Sequence, residues 1–154
     1  MSRPAVEFAE ANAGHAQALV RALRQQDRAE LDASGQTDHL AAVWQSVEQS
    51  DWAVAAYVDG QLVCLFGVAA HAARGTGVPW MLGTDLVAQQ RRFLLRLAPT
   101  YIARMLAAYP RLFNAVHARN TVSVRWLRHV GFRLHPSQPH PRTGEPFIPF
   151  EMTR

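Results

Sequence analysis

The sequence predicts a mixed α/β (α+β) domain with a mixed central sheet, its elements in the order β-α-α-β-β-β-α-β-α-β-β. Three observations carry that expectation. Two β-rich runs, WAVAAYV and QLVCLFGVAA, are joined by Asp59-Gly60, the dipeptide that suits a two-residue hairpin turn. Apolar residues recur at helical spacing in stretches that alternate with the β-rich runs. The segment NAVHARNTVSVRWLRHVGF, Asn114 to Phe132, leads a short apolar strand into a capped amphipathic helix that stops on Gly131. The hairpin excludes a purely parallel sheet.

Each element has its own warrant. VEFAEA (Val6 to Ala11) alternates as a strand does. Ala13 to Leu31 is apolar at Ala16, Leu19, Val20, Leu23 and Leu31, which predicts one amphipathic helix ending before Gly35. Asp38 caps a second helix with Leu40, Val43, Trp44 and Val47 on one face. After the hairpin, turn residues Gly75 and Gly77 precede a strand over Val78 to Val87. Gln89 to Tyr109 returns to helical spacing, with a kink or split expected at Pro99, which lacks a backbone donor. LFNAVHA is the next strand, and Asn120 or Thr121 opens a helix with Val122, Trp126, Leu127 and Val130 on one side. The proline-rich tail suits edge-type strands at Arg133 to Leu134 and Phe147 to Met152.

The 154 residues, 49% of them hydrophobic, suit a single domain spanning 1–154 with its own core. No apolar run reaches the ~18 to 20 residues of a membrane-spanning helix, and the start MSRPAVEFAE lacks a signal-peptide pattern. A soluble, unprocessed chain is expected. Its one cysteine, Cys64, lies in an apolar run, which excludes an internal disulfide and a Cys-based metal site. Cys64 reads as core, and the five-residue spacing of His135 and His140 across two prolines matches no helix-face zinc pair. The net charge is +4, and all 16 basic residues are arginines scattered along the chain. That pattern reads as genomic base composition and solvated faces, which argues against nucleic-acid binding.

The element order resembles the GNAT superfamily of N-acetyltransferases, and NAVHARNTVSVRWLRHVGF is similar to that family's fifth strand, Asn-capped fourth helix and closing Gly-Phe. More narrowly, WMLGTDLV, AAYPRLFNAV and ARNTVSVRWLRHVGF look like GNAT-like proteins encoded near tailed-bacteriophage virion genes. The resemblance implies a GNAT-like sheet in which the fourth and fifth strands splay. Acetyl-CoA would then lie along the fourth strand at Trp80, Met81, Leu82 and Gly83, with Asn120 near its arm. Backbone groups freed by a splay need partners, and cofactor amides can provide them.

The chain departs from the family pattern twice. The family's pyrophosphate loop is glycine-rich so that backbone N–H groups can approach phosphate, whereas LVAQQRRFLL has no glycine. Arg91 and Arg92 offer charge there, but no backbone nest. The family's tyrosine acid, four residues before the terminal Gly, is Leu127 here, which cannot donate a proton. Acetyl-CoA binding is therefore expected to be weak or absent.

Two residues could deprotonate an amine. His117 has a suitable titration range, though a hydrogen-bonded strand histidine is the favoured alternative. Asp85 could serve as a base or bind the amine, or be a strand-end turn residue. Two functions stay open: acetyl transfer from acetyl-CoA to an amine by a phage or prophage protein, or a non-catalytic virion, assembly or host-interaction role on the same fold. The second implies a protein partner or self-association, and the phage likeness implies the cytoplasm of a bacterial host or a virion as the location.

Overall fold

In the computed structural model, which describes residues 3–154, Asp59 and Gly60 close the hairpin at φ of 51° and 76°. Paired positive angles are those of a type I′ turn, whose twist matches the strands it joins. The turn links β2 (Ser50–Val58) to β3 (Gln61–Ala70). Outside β2 lies β1 (Val6–Glu10), and on the far side of β3 lies β4 (Thr76–Gly83), all antiparallel. Next to β4, and parallel to it, comes β5 (Arg111–His117). The tail adds β6 (Arg133–Leu134), β7 (Gln138–Pro139) and β8 (Pro146–Thr153), giving the order β1-β2-β3-β4-β5-β8-β6 with β7 also on β8. The fold class matches the expectation, and β7 is the strand that proline content concealed.

The first helical stretch is two helices, not one: α1 (Ala13–Arg21) and α2 (Gln25–Ala33). The break occurs because Leu23 and Arg24 are drawn to the end of β4. Leu23 bridges Thr84, and the Arg24 N–H donates to the Gly83 carbonyl at 2.9 Å. The Arg28 guanidinium then donates to the carbonyls of Val20 and Leu23, both at 2.9 Å, satisfying the C-terminal end of α1. Asp38 caps α3 (His39–Gln49) by accepting the Ala41 N–H.

Two further expectations need correction. The strand placed at Val78 to Val87 ends at Gly83, because Thr84 starts a turn: its carbonyl accepts the Val87 N–H and its hydroxyl the Leu86 N–H. The short helix α4 (Leu86–Gln89) follows. α5 (Arg91–Ala108) runs through Pro99 as one continuous helix, so of the expected kink or split the split does not occur. Proline's missing donor leaves the Leu95 carbonyl unpaired within the helix, while Leu94 and Met105 anchor the apolar face on either side. The last helix, α6 (Thr121–His129), is capped by Asn120 and ends at Gly131 with φ 106°.

The helices cover both faces of the sheet. Leu19 of α1 and Val43 of α3 pack on Leu65, while Leu94 of α5 joins Val63 and Cys64 on the opposite side. Met105, Leu112, Leu127 and Phe150 form the core under α6.

Candidate active site

β4 and β5 pair only at Thr76 with Arg111 and Gly77 with Leu112, and then part. The early pairing is tight, because a Cβ on Gly77 would lie 2.6 Å from the Tyr109 ring. Past that point the Asn114 side-chain amide reaches across to the Pro79 carbonyl at 2.8 Å, doing by side chain what the backbone no longer does.

Strand alternation identifies the groups the parting strands release. Thr84 N–H donates to Val63 and Thr76 accepts from His71, so even-numbered residues of β4 bond to β3 and odd-numbered ones face the gap. On β5, Ala118 donates to Pro146 across β8, so Ala115 and His117 face the gap from the other side. Side chains take most of these backbone donors. Asp27 accepts Gly83 N–H at 2.7 Å, Asn114 accepts Ala115 N–H at 2.8 Å, and Glu30 accepts His117 N–H at 2.7 Å. Among the described residues, the Met81 N–H and carbonyl are left without a protein partner.

A cavity of about 390 Å³ occupies the gap and has walls on both faces of the sheet. Leu94, Ala98 and Met105 of α5 and Leu127 of α6 make one side apolar, and Arg24, Asp27 and Glu30 bring charge to the other. Asp27 is 1% exposed and holds the Arg24 guanidinium at 2.8 Å. Glu30 is half-buried and lines the cavity. Burial pushes its carboxyl up to about 7; the His117 backbone hydrogen bond opposes this, the Asp27 charge adds to it, and Asn120 and Arg24 draw it down.

Trp80, Met81 and Leu82 all line this cavity. Gly83 stands at the end of the same edge, with its N–H held by Asp27 and its carbonyl by Arg24. Asn120 is buried, and its side chain accepts the Ser123 N–H as the α6 cap. Asp85 is exposed at the start of α4 and does not line the cavity. The His117 ring is buried beside a second groove, where its unpaired Nε2 lies 3.5 Å from a Glu145 carboxylate oxygen. Arg91 and Arg92 are exposed at the start of α5, outside the cavity.

Sequence reasoning missed Arg24, Asp27 and Glu30, because RQQDRAE reads as the solvated face of a helix. The available signal was the gap in the apolar pattern between Leu23 and Leu31, with Asp27, Glu30 and Leu31 spaced to share one face.

No known family's sequence profile matches the chain, and no curated protein sequence matches it. Solved structures do. An aminoglycoside N(6′)-acetyltransferase from Legionella pneumophila superposes with a TM-score of 0.72 at 9% identity, over 99% of this chain and 94% of that one. AAC(6′)-Ib in complex with ribostamycin and coenzyme A gives 0.71 at 14% identity, over 97% and 94%. The ribosomal-protein-S5-alanine acetyltransferase of Vibrio fischeri gives 0.65 at 14% identity, over 99% and 95%. Identities this low speak to the fold alone, and the chain shares that fold with solved acetyltransferases of the GNAT family.

Proposed function

We propose that this protein transfers an acyl group, acetyl in the first instance, from a coenzyme A thioester to an amine. The observation that carries the reading is Met81: among the described residues its backbone N–H, on the β4 edge that faces the splay, has no protein partner, and it lines a cavity with walls on both faces of the sheet. An extended arm bearing amides fits such an edge, since it offers the groups a strand neighbour would offer. The coenzyme would supply an acyl carbon already activated as a thioester.

The chain's own residues then have separable tasks. Met81 N–H donates to the acyl oxygen and stabilises the negative charge that grows there during attack. The α5 wall excludes water. Leu127 lines the cavity and has no proton to give, so the departing sulfur is protonated from solvent. Arg91 and Arg92 draw the phosphates as point charges. The segment leading into α5 has no glycine to bring backbone close to phosphate, and the donors of Val87 and Gln90 are taken by Thr84 and Leu86 within the turn. Losing those donors costs roughly 2 to 3 kcal/mol, about 30- to 150-fold in affinity.

The glycine-free segment LVAQQRRFLL leaves room for a second reading, in which a non-catalytic protein keeps the fold and acts through a protein partner or self-association. Calorimetric titration with acetyl-CoA separates the two, because only transfer requires binding. Weak binding is expected, reduced at least ~10-fold by Met81→Pro relative to Met81→Leu. Proline at 81 deletes only a donor that faces the gap, so the ladder to β3 survives. No binding at all, or equal binding by both variants, would count against transfer.

A further inference from the structure

Of the titratable groups lining the cavity, most are committed elsewhere. Asp27 Oδ2 takes both the Arg24 guanidinium and Gly83 N–H. Tyr101 belongs to α5, on the apolar side, and its ring packs on Phe66 at 4.6 Å. His140 lies on the tail against Phe147, and its Nδ1 accepts the Arg142 N–H. Glu30 differs. Oε1 is pinned to the His117 backbone of β5, and the carboxylate lines the cavity whose β4 wall carries the free Met81 N–H.

We infer that Glu30 is the catalytic proton acceptor for the amine substrate, which approaches from the α2 side of the sheet. The inference rests on the transfer reading above. The uncharged amine nitrogen forms the N–C(acyl) bond as the C–S bond breaks. One nitrogen proton passes to the Glu30 carboxylate, the C–S electron pair leaves with sulfur, sulfur takes a proton from solvent, and Glu30 returns its own to solvent. Neither Asp85 nor His117 needs to take part, since neither lines the cavity.

The setting suits the role. The charged groups around Glu30 are Asp27 and Arg24, with His140 on the cavity wall, and the neutral donors are the His117 backbone and Asn120. The Asp27–Arg24 pair is internally balanced, so Glu30 supplies the uncompensated negative charge that would hold a primary ammonium. Its titration near neutrality lets it both release and accept a proton at working pH.

The test uses the whole chain, acetyl-CoA and benzylamine as probe, with Glu30→Gln, Glu30→Asp and His140→Gln. The Gln amide oxygen can still accept the His117 N–H, so that variant should fold. Expected results are a loss of at least ~100-fold in kcat/KM for thiol release by Glu30→Gln, with the acidic limb of the pH profile gone and acetyl-CoA affinity unchanged. Glu30→Asp should keep a measurable rate and the limb. Independently of turnover, the 13C carboxyl signal that Glu30→Gln removes should titrate at about 7 and shift its midpoint down when benzylamine is added. The inference is overturned if Glu30→Gln keeps its rate, if only His140→Gln removes the limb, or if benzylamine leaves the Glu30 midpoint in place. Failure of the wild-type chain to bind acetyl-CoA would instead bring down the transfer reading itself, and the inference with it.

Discussion

One carboxylate oxygen of Asp27 accepts both the Gly83 backbone N–H, at 2.7 Å, and the Arg24 guanidinium, at 2.8 Å. The free end of β4 and the buried charge of Arg24 are thus closed by the same atom. Asp27→Ala should therefore cost about 3 to 5 kcal/mol in a urea melt, because it leaves the buried Arg24 cation with only the Ser123 hydroxyl and the Gly83 backbone donor with no partner. A loss below ~1 kcal/mol would mean that water reaches this corner of the cavity.

Gly77 tests the point where the strands part. Tyr109 cannot easily yield to an added methyl group, since its hydroxyl donates to Asp51 and its ring lies 2.6 Å from where a Cβ would sit. Gly77→Ala should cost about 1 to 3 kcal/mol, and Tyr109→Ala should rescue part of it in the double variant. Additive losses would show that the strain is taken up elsewhere.

Glu30 gives stability a pH dependence whose sign is fixed. Its carboxyl rises from 4.5 to about 7 on folding, so the folded state binds the proton more tightly than the unfolded chain. The contribution is fully present below 4.5 and is lost as pH rises through about 7. Thermal melts from pH 5 to 8 should show the wild type losing stability relative to Glu30→Gln, with the gap widening upward in pH. A constant gap would place the Glu30 carboxyl in the ordinary range.

Asn120 caps α6 and also lies near enough to Glu30 to draw its carboxyl down. Asn120→Ala should cost ~0.5 to 2 kcal/mol and Asn120→Ser close to nothing, since serine caps as well. Asn120→Asp keeps the cap but sets a second carboxylate beside Glu30, so it should be destabilised at pH 8 and recover towards pH 5. Recovery in the opposite direction would exclude that contact.

The parts read correctly from sequence are those decided within a few residues. Asp59-Gly60 needs only its own φ angles, and Asn120 and Gly131 mark their helix ends by local chemistry. Resemblance, not periodicity, pointed to Trp80 through Gly83. What escaped depends on partners distant in the chain: the α1–α2 break is made by Thr84 and Gly83, and Asp27 and Glu30 face inward because parted strands offer them donors. A polar helical stretch looks the same whether it meets water or unpaired backbone. Asp85 and His117 drew attention for their chemistry, yet the end of β4 turns the first outward and the second faces another groove.

Cys64, fully buried in β3, has a thiol that burial pushes up to about 12. At neutral pH it is neither ionised nor within reach of a disulfide reagent, so the folded protein is silent to such reagents. Any colour that a thiol dye develops over native protein therefore counts molecules of leaving group, one for one, and the same dye becomes a clock for unfolding when no substrate is present.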